Sequence, residues 1–301
     1  MSEVTVREAR PSDADAVGAI AERTWTDRER EDYIGEVFPA WVRAEEPPHR
    51  TVVADAGGTA VGVARSVLLG DQEAWMQGLR VHPDHRGAGL ADRLGAALFD
   101  WARERGATVA RNMVFSWNDA GLSQSLAGGF DPLCAVRLAR PEPTPGELPE
   151  PVVEDPAAAW SFWTRSEARR TLSGVGLDPA VPWTVSDLTR DRLRRHAEDE
   201  RVLAVAGEGT RGFTVRIGTR HPETEAGVLD VVEYAAAGWT DADAAETLFA
   251  AVRADAAGQG ADQARVLVPE TPRHVAETAR ARGLPADEPV FVFEADLTRQ
   301  P

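Results

Sequence analysis

The sequence contains no lysine: all 33 of its basic residues are arginines, set against 49 acidic residues for a net charge of −16. Without lysine there can be no Walker phosphate loop, and no Schiff base to pyridoxal phosphate or a carbonyl substrate. The single cysteine, Cys134, excludes a disulfide framework and a CxxC metal site. It lies in an apolar strand-like run, PLCAVRLA, as expected of an inert core thiol. The histidines (His49, His82, His85, His196, His221, His274) are scattered without the spacing of a metal site, so no metal is expected. Apolar stretches fall far short of the roughly 20 residues of a membrane span, and there is no basic and apolar leader. A soluble cytoplasmic protein is therefore the expectation. Tyrosine is scarce as well, with only Tyr33 and Tyr234.

A chain this acidic repels nucleic acid and anionic membranes, and neither is expected as a partner. Its carboxylates are spread over the whole length, in the manner of a salt-adapted, halophilic-type surface. A funnel for a cationic substrate is the alternative. With 301 residues, 43% of them hydrophobic, the chain can build two ordinary domains with sizeable cores.

The pattern begins with a strand from Val4 to Ala9. Pro11 and Ser12 start a helix, with Asp15 placed as in a capping box. A second helical stretch covers residues 32–43. TVVADA and TAVGVARSVLL flank Gly57-Gly58, a hairpin signal, and a longer strand follows from Glu73 to Val81. Then Leu90, Leu94, Ala97, Leu98 and Trp101 recur at helical spacing, with Gly106 as the stop. A strand (108–117), a helix (119–127) and a strand (133–139) complete the unit. Six prolines between Pro141 and Pro156 read as a stiff linker unable to form sheet or helix. Residues 155–199 look mostly helical, with Trp160, Trp163 and Trp183 as core candidates. From Arg201 the order is three strands, helix, strand, helix, strand, which repeats the first unit from its hairpin onward. The domain reading is 1–140, a linker at 141–156, and 157–301.

The informative segment is QGLRVHPDHRGAGLA, residues 77–91. A strand ends, a glycine-bearing loop turns and a helix begins. Free N–H groups at a helix start, with the dipole behind them, hold a pyrophosphate, and small residues let the backbone approach closely. Arg86 can add a charged donor at the rim. Arg86-x-x-Gly89-x-Ala91 matches the R/Q-x-x-G-x-G/A signature, and the segment 3–140 resembles the GCN5-related N-acetyltransferase (GNAT) family. The LRVHP element before the signature and the Asn118 to Gly129-Phe130 element after it add to the resemblance. The rival, a dinucleotide fingerprint, has Asp92 at its third glycine position and is preceded by a hairpin instead of a βαβ unit.

The resemblance implies an α+β fold, a mixed, mostly antiparallel sheet flanked by helices, with a second degenerate GNAT-like half. It implies that acetyl-coenzyme A is bound by Arg86, Gly87, Ala88, Gly89, Leu90 and Ala91 on the pyrophosphate. Backbone at Leu79, Arg80 and Val81 would pair with the pantetheine arm. Asn118 would contact the coenzyme amide, cap the next helix, or both. The acceptor would be an amine, of a small molecule, amino acid, polyamine, antibiotic or protein N-terminus.

Acetyl transfer needs a positioned neutral amine, proton removal, oxyanion stabilisation and protonation of the thiolate. Glu73, Trp75, Gln77 and Leu79 should alternate onto one face of their strand. Glu73 is the only carboxylate there, either a base acting through water or a solvated strand-start residue. The family commonly has a tyrosine acid four residues before the glycine of its GF pair; here that position is Ser125. Tyr33, in the helical pair expected to wall the acceptor side, could substitute for it or simply line the wall. Trp25, Trp41, Trp75 and Trp117 fall in segments around the acceptor cleft, although ordinary packing would account for some of them. In the second half the loop position reads Gly238-Trp-Thr-Asp-Ala-Asp243. Asp241 and Asp243 put negative charge where a pyrophosphate would sit, so coenzyme is not expected there. The tandem layout and GLRV also resemble the histidine N-acetyltransferase type, which makes a free amino acid one candidate acceptor. A non-catalytic acetyl-coenzyme A sensor is the alternative to an enzyme.

Overall fold

The computed structural model describes residues 4–26, 32–224, 227–283 and 288–299. In chain order the elements are β1 (Val4–Glu8), α1 (Ala14–Ala21), α2 (Ile34–Trp41), β2 (His49–Ala56), β3 (Thr59–Leu68), β4 (Glu73–Val81), α3 (Leu90–Arg103), β5 (Val109–Phe115), α4 (Asp119–Ala127) and β6 (Asp131–Ala139). They continue with β7 (Val152–Val153), α5 (Pro156–Trp163), α6 (Glu167–Thr171), β8 (Val175–Leu177), β9 (Val185–Asp187), α7 (Arg190–Asp199), β10 (Arg201–Gly207), β11 (Gly209–Arg220), β12 (Glu223–Thr224) and β13 (Gly227–Val228). The remainder are β14 (Val231–Trp239), α8 (Ala242–Gly258), β15 (Gln263–Pro269), α9 (Pro272–Arg280) and β16 (Val290–Asp296). Two compact units result: Met1–Pro132 with Phe293–Pro301, and Leu133–Val292. The sequence repeats part instead at the proline-rich run.

In the first unit the strand order is β1-β2-β3-β4-β5, with the end of β16 beside β5. Neighbours pair antiparallel from β1 to β4, and β4 with β5 is parallel. Gly57 and Gly58 take the positive φ angles that a tight hairpin demands. Val17, Ile34, Phe38, Val53 and Val63 form the core under α1 and α2. Leu90, Leu94, Leu98 and Trp101 bury the apolar stripe of α3, with Ala97 at its margin. Two chain reversals share one design. Ala107 N–H reaches Ala102 O after α3, and Phe130 N–H reaches Ser125 O after α4. In each the intervening glycine, Gly106 or Gly129, has positive φ, which is the Schellman arrangement. This gives the Gly129-Phe130 pair its physical reason.

Several expectations need correction. Ser12 and Asp15 do not cap α1. A 3₁₀ turn, Pro11–Asp13, precedes it, and Asp13 Oδ2 accepts from Arg10 N–H at 2.7 Å. The proline run does make sheet at its end, where the non-prolyl pair Val152 and Val153 aligns with β10 and Val152 N–H donates to Pro149 O at 2.9 Å. Residues 155–199 are broken by the short hairpin β8/β9, bounded by Gly174 and the Pro179–Pro182 turn. Trp163 is in the core, whereas Trp160 and Trp183 are half-buried. Cys134 is half-buried too, because β6 buries only its second half.

In the second unit the order is β6-β15-β14-β11-β10-β7, with β14 and β15 parallel and the other pairs antiparallel. Its strands and helices follow the order read from the repeat, so the chain has two GNAT-like halves.

Candidate functional site

In the first unit β4 and β5 pair only at Glu73↔Val109, Ala74↔Ala110 and Trp75↔Arg111. Beyond that β4 runs on to Val81 and β5 to Phe115 without pairing, so the strands fork. Arg111 sits at the fork's base. It donates to Glu73 Oε2 at 2.5 Å and to Glu294 Oε2 at 2.8 Å, clamping β4, β5 and β16 together. Glu73 is thus engaged by an arginine rather than solvated.

One arm of the fork carries a bulge. Arg65 pairs with Gln77 and Val63 with Arg80, so Gly78 and Leu79 together face one residue of β3. Gly78 has φ +70°, the left-handed conformation glycine supplies in such a bulge. A Cβ there would lie 2.5 Å from the Trp41 ring, so no other residue fits. The bulge resets the alternation: Arg80, not Leu79, continues the face of Trp75 and Gln77. The Arg80 side chain therefore points to α1 and α2, where Nε donates to Asp32 Oδ2 at 2.6 Å. Its guanidinium lies 4.6 Å from the Trp25 ring centre and 5.9 Å from that of Tyr33. Trp25 in turn meets Trp117 edge-on at 5.3 Å, and Trp117 stacks on Phe115. The chain Arg80–Trp25–Trp117 spans the fork from β4 to the end of β5. Trp75, by contrast, is core, and Trp41 covers the bulge.

At the open end of β4 the loop leads into α3. Gly87 and Gly89 both have positive φ, and the space where their Cβ atoms would stand holds no atom within 4 Å. Gly89 is the helix N-cap and, among the described residues, no side chain bonds to the N–H groups there. Those donors, with the dipole behind them, face open space. Arg86 is exposed and its Nε donates to Val81 O at 3.2 Å. Ala88 is exposed, Leu90 is buried and Ala91 is half-buried beside it. Asp92 accepts from Gln124 Nε2 at 2.9 Å. Asn118 caps α4, its Oδ1 accepting from Gly121 N–H at 3.1 Å.

The candidate acids differ in setting. Ser125 is buried, and its Oγ accepts from Asn112 Nδ2 at 3.1 Å. Tyr33, 43% exposed, packs edge-on against Trp41. Desolvation pushes its phenol above the usual value, with Arg80 pulling it down and Asp32 pushing it up. It is protonated at neutral pH on either side of that balance. The Asp32–Arg80 pair, Asn112, Phe115 and Arg65 join the site without having stood among the candidates drawn from the sequence. The available signals were a glycine inside a strand, which marks a bulge, and an arginine within the apolar run GVARSVLL.

The fit to coenzyme A rests on two features: a cradle that any Cβ would fill, and a strand edge beyond Trp75 that β5 does not cover. In the second unit the corresponding places are taken. β14 pairs with β15 only from Val231 to Tyr234, but it is buried along its length. A Cβ on Gly238 would meet Ala168 of α6 at 2.9 Å, and one on Gly176 of β8 would meet Ala235 O at 3.0 Å. At the start of α8 Asp241 accepts from Ala244 N–H and from Arg211 Nη2, which hold its carboxyl far below the usual range, Arg211 foremost.

A forked mixed sheet with a bulged strand running into an uncapped, glycine-turned helix defines an acetyltransferase-type fold. Residues 14–121 match the model of the acetyltransferase (GNAT) family. The match is confined to that segment, and the fold of the chain is a tandem GNAT arrangement. A GCN5-related N-acetyltransferase from Sphaerobacter thermophilus is similar over 98% of this chain and 96% of its own, with 16% identity and a TM-score of 0.60. A tandem GNAT protein from the clavulanic acid biosynthesis pathway is similar over 99% of this chain and 100% of its own, with 14% identity and a TM-score of 0.55. No curated protein matches.

Proposed function

We propose that the chain transfers the acetyl group of acetyl-coenzyme A to an amine of a small molecule, by direct attack on the thioester, at one site in its first half. The observation that carries this is the fork of β4 from β5, continuous with the uncapped start of α3. In this reading the N–H groups from Gly87 to Ala91, with Arg86 at the rim, hold the pyrophosphate. The backbone of Leu79, Arg80 and Val81 takes the pantetheine arm as an added strand, and the bulge at Gly78–Leu79 turns an N–H toward the carbonyl. Asn118 serves as helix cap and borders the same channel. The coenzyme supplies an already activated acyl group.

Among the candidate catalytic residues, Tyr33 carries the proton-donor role, because its hydroxyl has no hydrogen-bond partner among the described residues. Ser125 is a packing residue. Glu73, engaged by Arg111, acts on proton removal only through water, and its first task is to clamp the fork. The aromatic span Trp25–Trp117 favours a compact acceptor over a long peptide. The second half, with its cap filled and its strand covered, is a non-binding partner to the first.

The test is thiol release from acetyl-coenzyme A with a panel of amines, together with the mass of the product. Amine-dependent release with an acetylated product is expected. The sparse acid and base set favours one other reading, a sensor that binds acetyl-coenzyme A without turnover; tight binding with no release for any amine would establish that instead.

A further inference from the structure

Arg65 is among the most buried charges of the first unit, at 4% exposure on β3. Two other arginines of this unit, Arg80 and Arg111, are matched to carboxylates: Arg80 to Asp32, and Arg111 to Glu73 and Glu294. Arg65 has no carboxylate partner among the described residues. Its Nη1 donates to Trp41 O at 2.7 Å and to Thr51 Oγ1 at 3.3 Å, both neutral acceptors. Among the described residues its Nε is buried without a partner, and the hydrogen bonds of the guanidinium come from Nη1. Burial alone pushes its pKa down to about 10, with no acidic group offsetting it. An uncompensated buried cation is costly, and natural proteins match such charges.

The position of this cation is specific. Arg65 lies opposite Gln77 on the face that also carries Trp75 and Arg80, and its guanidinium is 5.3 Å from the Trp41 ring. That ring in turn lies on the Gly78 bulge. Nη1 is occupied, while Nε and Nη2, the edge that grips a carboxylate with two parallel hydrogen bonds, are not. We propose that the amine acceptor carries a carboxylate, and that the unpartnered Nε–Nη2 edge of Arg65 binds it. This rests on the acetyltransferase reading and assigns the acceptor class of the same site. The aromatic rings at Trp41 and Tyr33 pack against the stem of such an acceptor, leaving its amine toward β4.

The experiment uses the intact protein with saturating acetyl-coenzyme A. kcat/KM is measured for amino acids and for their primary amides, expressed per unprotonated amine. The acids should be preferred on the order of 10–100-fold, the range of a charged hydrogen-bonded pair. In Arg65→Met the ratio should fall to near one, and Arg65→Lys, which keeps charge but not the fork, should restore part of it. A merely structural arginine would lower both acceptor classes alike and leave the ratio unchanged, which overturns the proposal. If Arg65→Met does not fold, product inhibition of the wild-type protein decides. N-acetylated acids should inhibit at least about tenfold better than their amides, and equal inhibition overturns the proposal. Transfer without preference for acids defeats this inference alone; coenzyme binding with no transfer to any amine defeats the acetyltransferase reading with it.

Discussion

Replacing Ser125 with alanine removes the oxygen that accepts from Asn112 Nδ2, and Asn112 Oδ1 is already buried without a partner. Stranding a buried polar group costs about 1–3 kcal/mol, so Ser125→Ala should lose stability in a denaturant titration. Its turnover should drop less than about tenfold, because a working general acid contributes on the order of 100-fold or more. Tyr33→Phe removes only the phenolic proton; a large loss there with coenzyme affinity retained would assign the acid. Abolished activity in Ser125→Ala, with fold and coenzyme binding intact, would make the serine catalytic and sink the assignment. A second residue-scale expectation concerns pH. Arg7 donates to both Asp13 and Asp55, and its hydrogen bonds hold Asp13 below the usual carboxylate range. A folded-state value below the unfolded one means stability that is complete above about pH 4 and is lost as pH falls through the depressed value. Asp13→Asn should therefore be destabilised at neutral pH by roughly 1–3 kcal/mol. Its deficit should shrink below about pH 4; a deficit that stays constant into acid would rule out this ion pair as the cause.

At the scale of elements, the turn into α3 can be broken without touching the core. Gly89 has positive φ and open space around its Cβ position, so Gly89→Glu strains the turn, fills the cradle and sets a carboxylate against the pyrophosphate. The charge effect at a helix terminus is only about 0.3–1 kcal/mol, so steric exclusion dominates and calorimetry should show coenzyme binding reduced by more than about tenfold. Unchanged affinity would move the cradle elsewhere. This turn was readable in advance because each part has a local cause: a stripe at helical spacing, two glycines, a strand ending at His82-Pro83. The strand Glu73–Val81 was equally plain. Its bulge was not, because simple alternation put Leu79 where Arg80 stands, and only pairing against β3 shows two residues facing one. The hairpin β8/β9 escaped notice because three-residue strands carry no period. Long-range partners such as Asp32–Arg80 and Arg111–Glu294 leave no mark on sequence spacing. The turn into α3, being local, was therefore legible, whereas the contacts that gather around Arg80 and Arg111, built from distant residues, were not.

For the molecule as a whole, titration should find one coenzyme A per chain. The first unit has an uncapped helix start beside a forked strand. The second has Asp241 on its helix start and α6 and β8 over its strand. Two equivalent sites by calorimetry would refute this. The first unit also contains the end of β16: Glu294 bonds Arg111, and Leu297 N–H donates to Thr108 O at 2.9 Å. Truncation after residue 289 should lower the melting temperature of the first unit, although no cradle residue is removed; an unchanged melting profile would contradict the role of that strand. The same feature bears on how the protein is born. A ribosome releases the cradle, the bulge and Arg111 early, then spends on the order of 10 s or more, at about 5–20 residues per second, making the second unit before residues 293–299 emerge. Through that interval the outer edge of β5 is an open strand, the kind of surface that recruits wrong neighbours. The nascent first unit must therefore wait, or be shielded, until synthesis has almost ended.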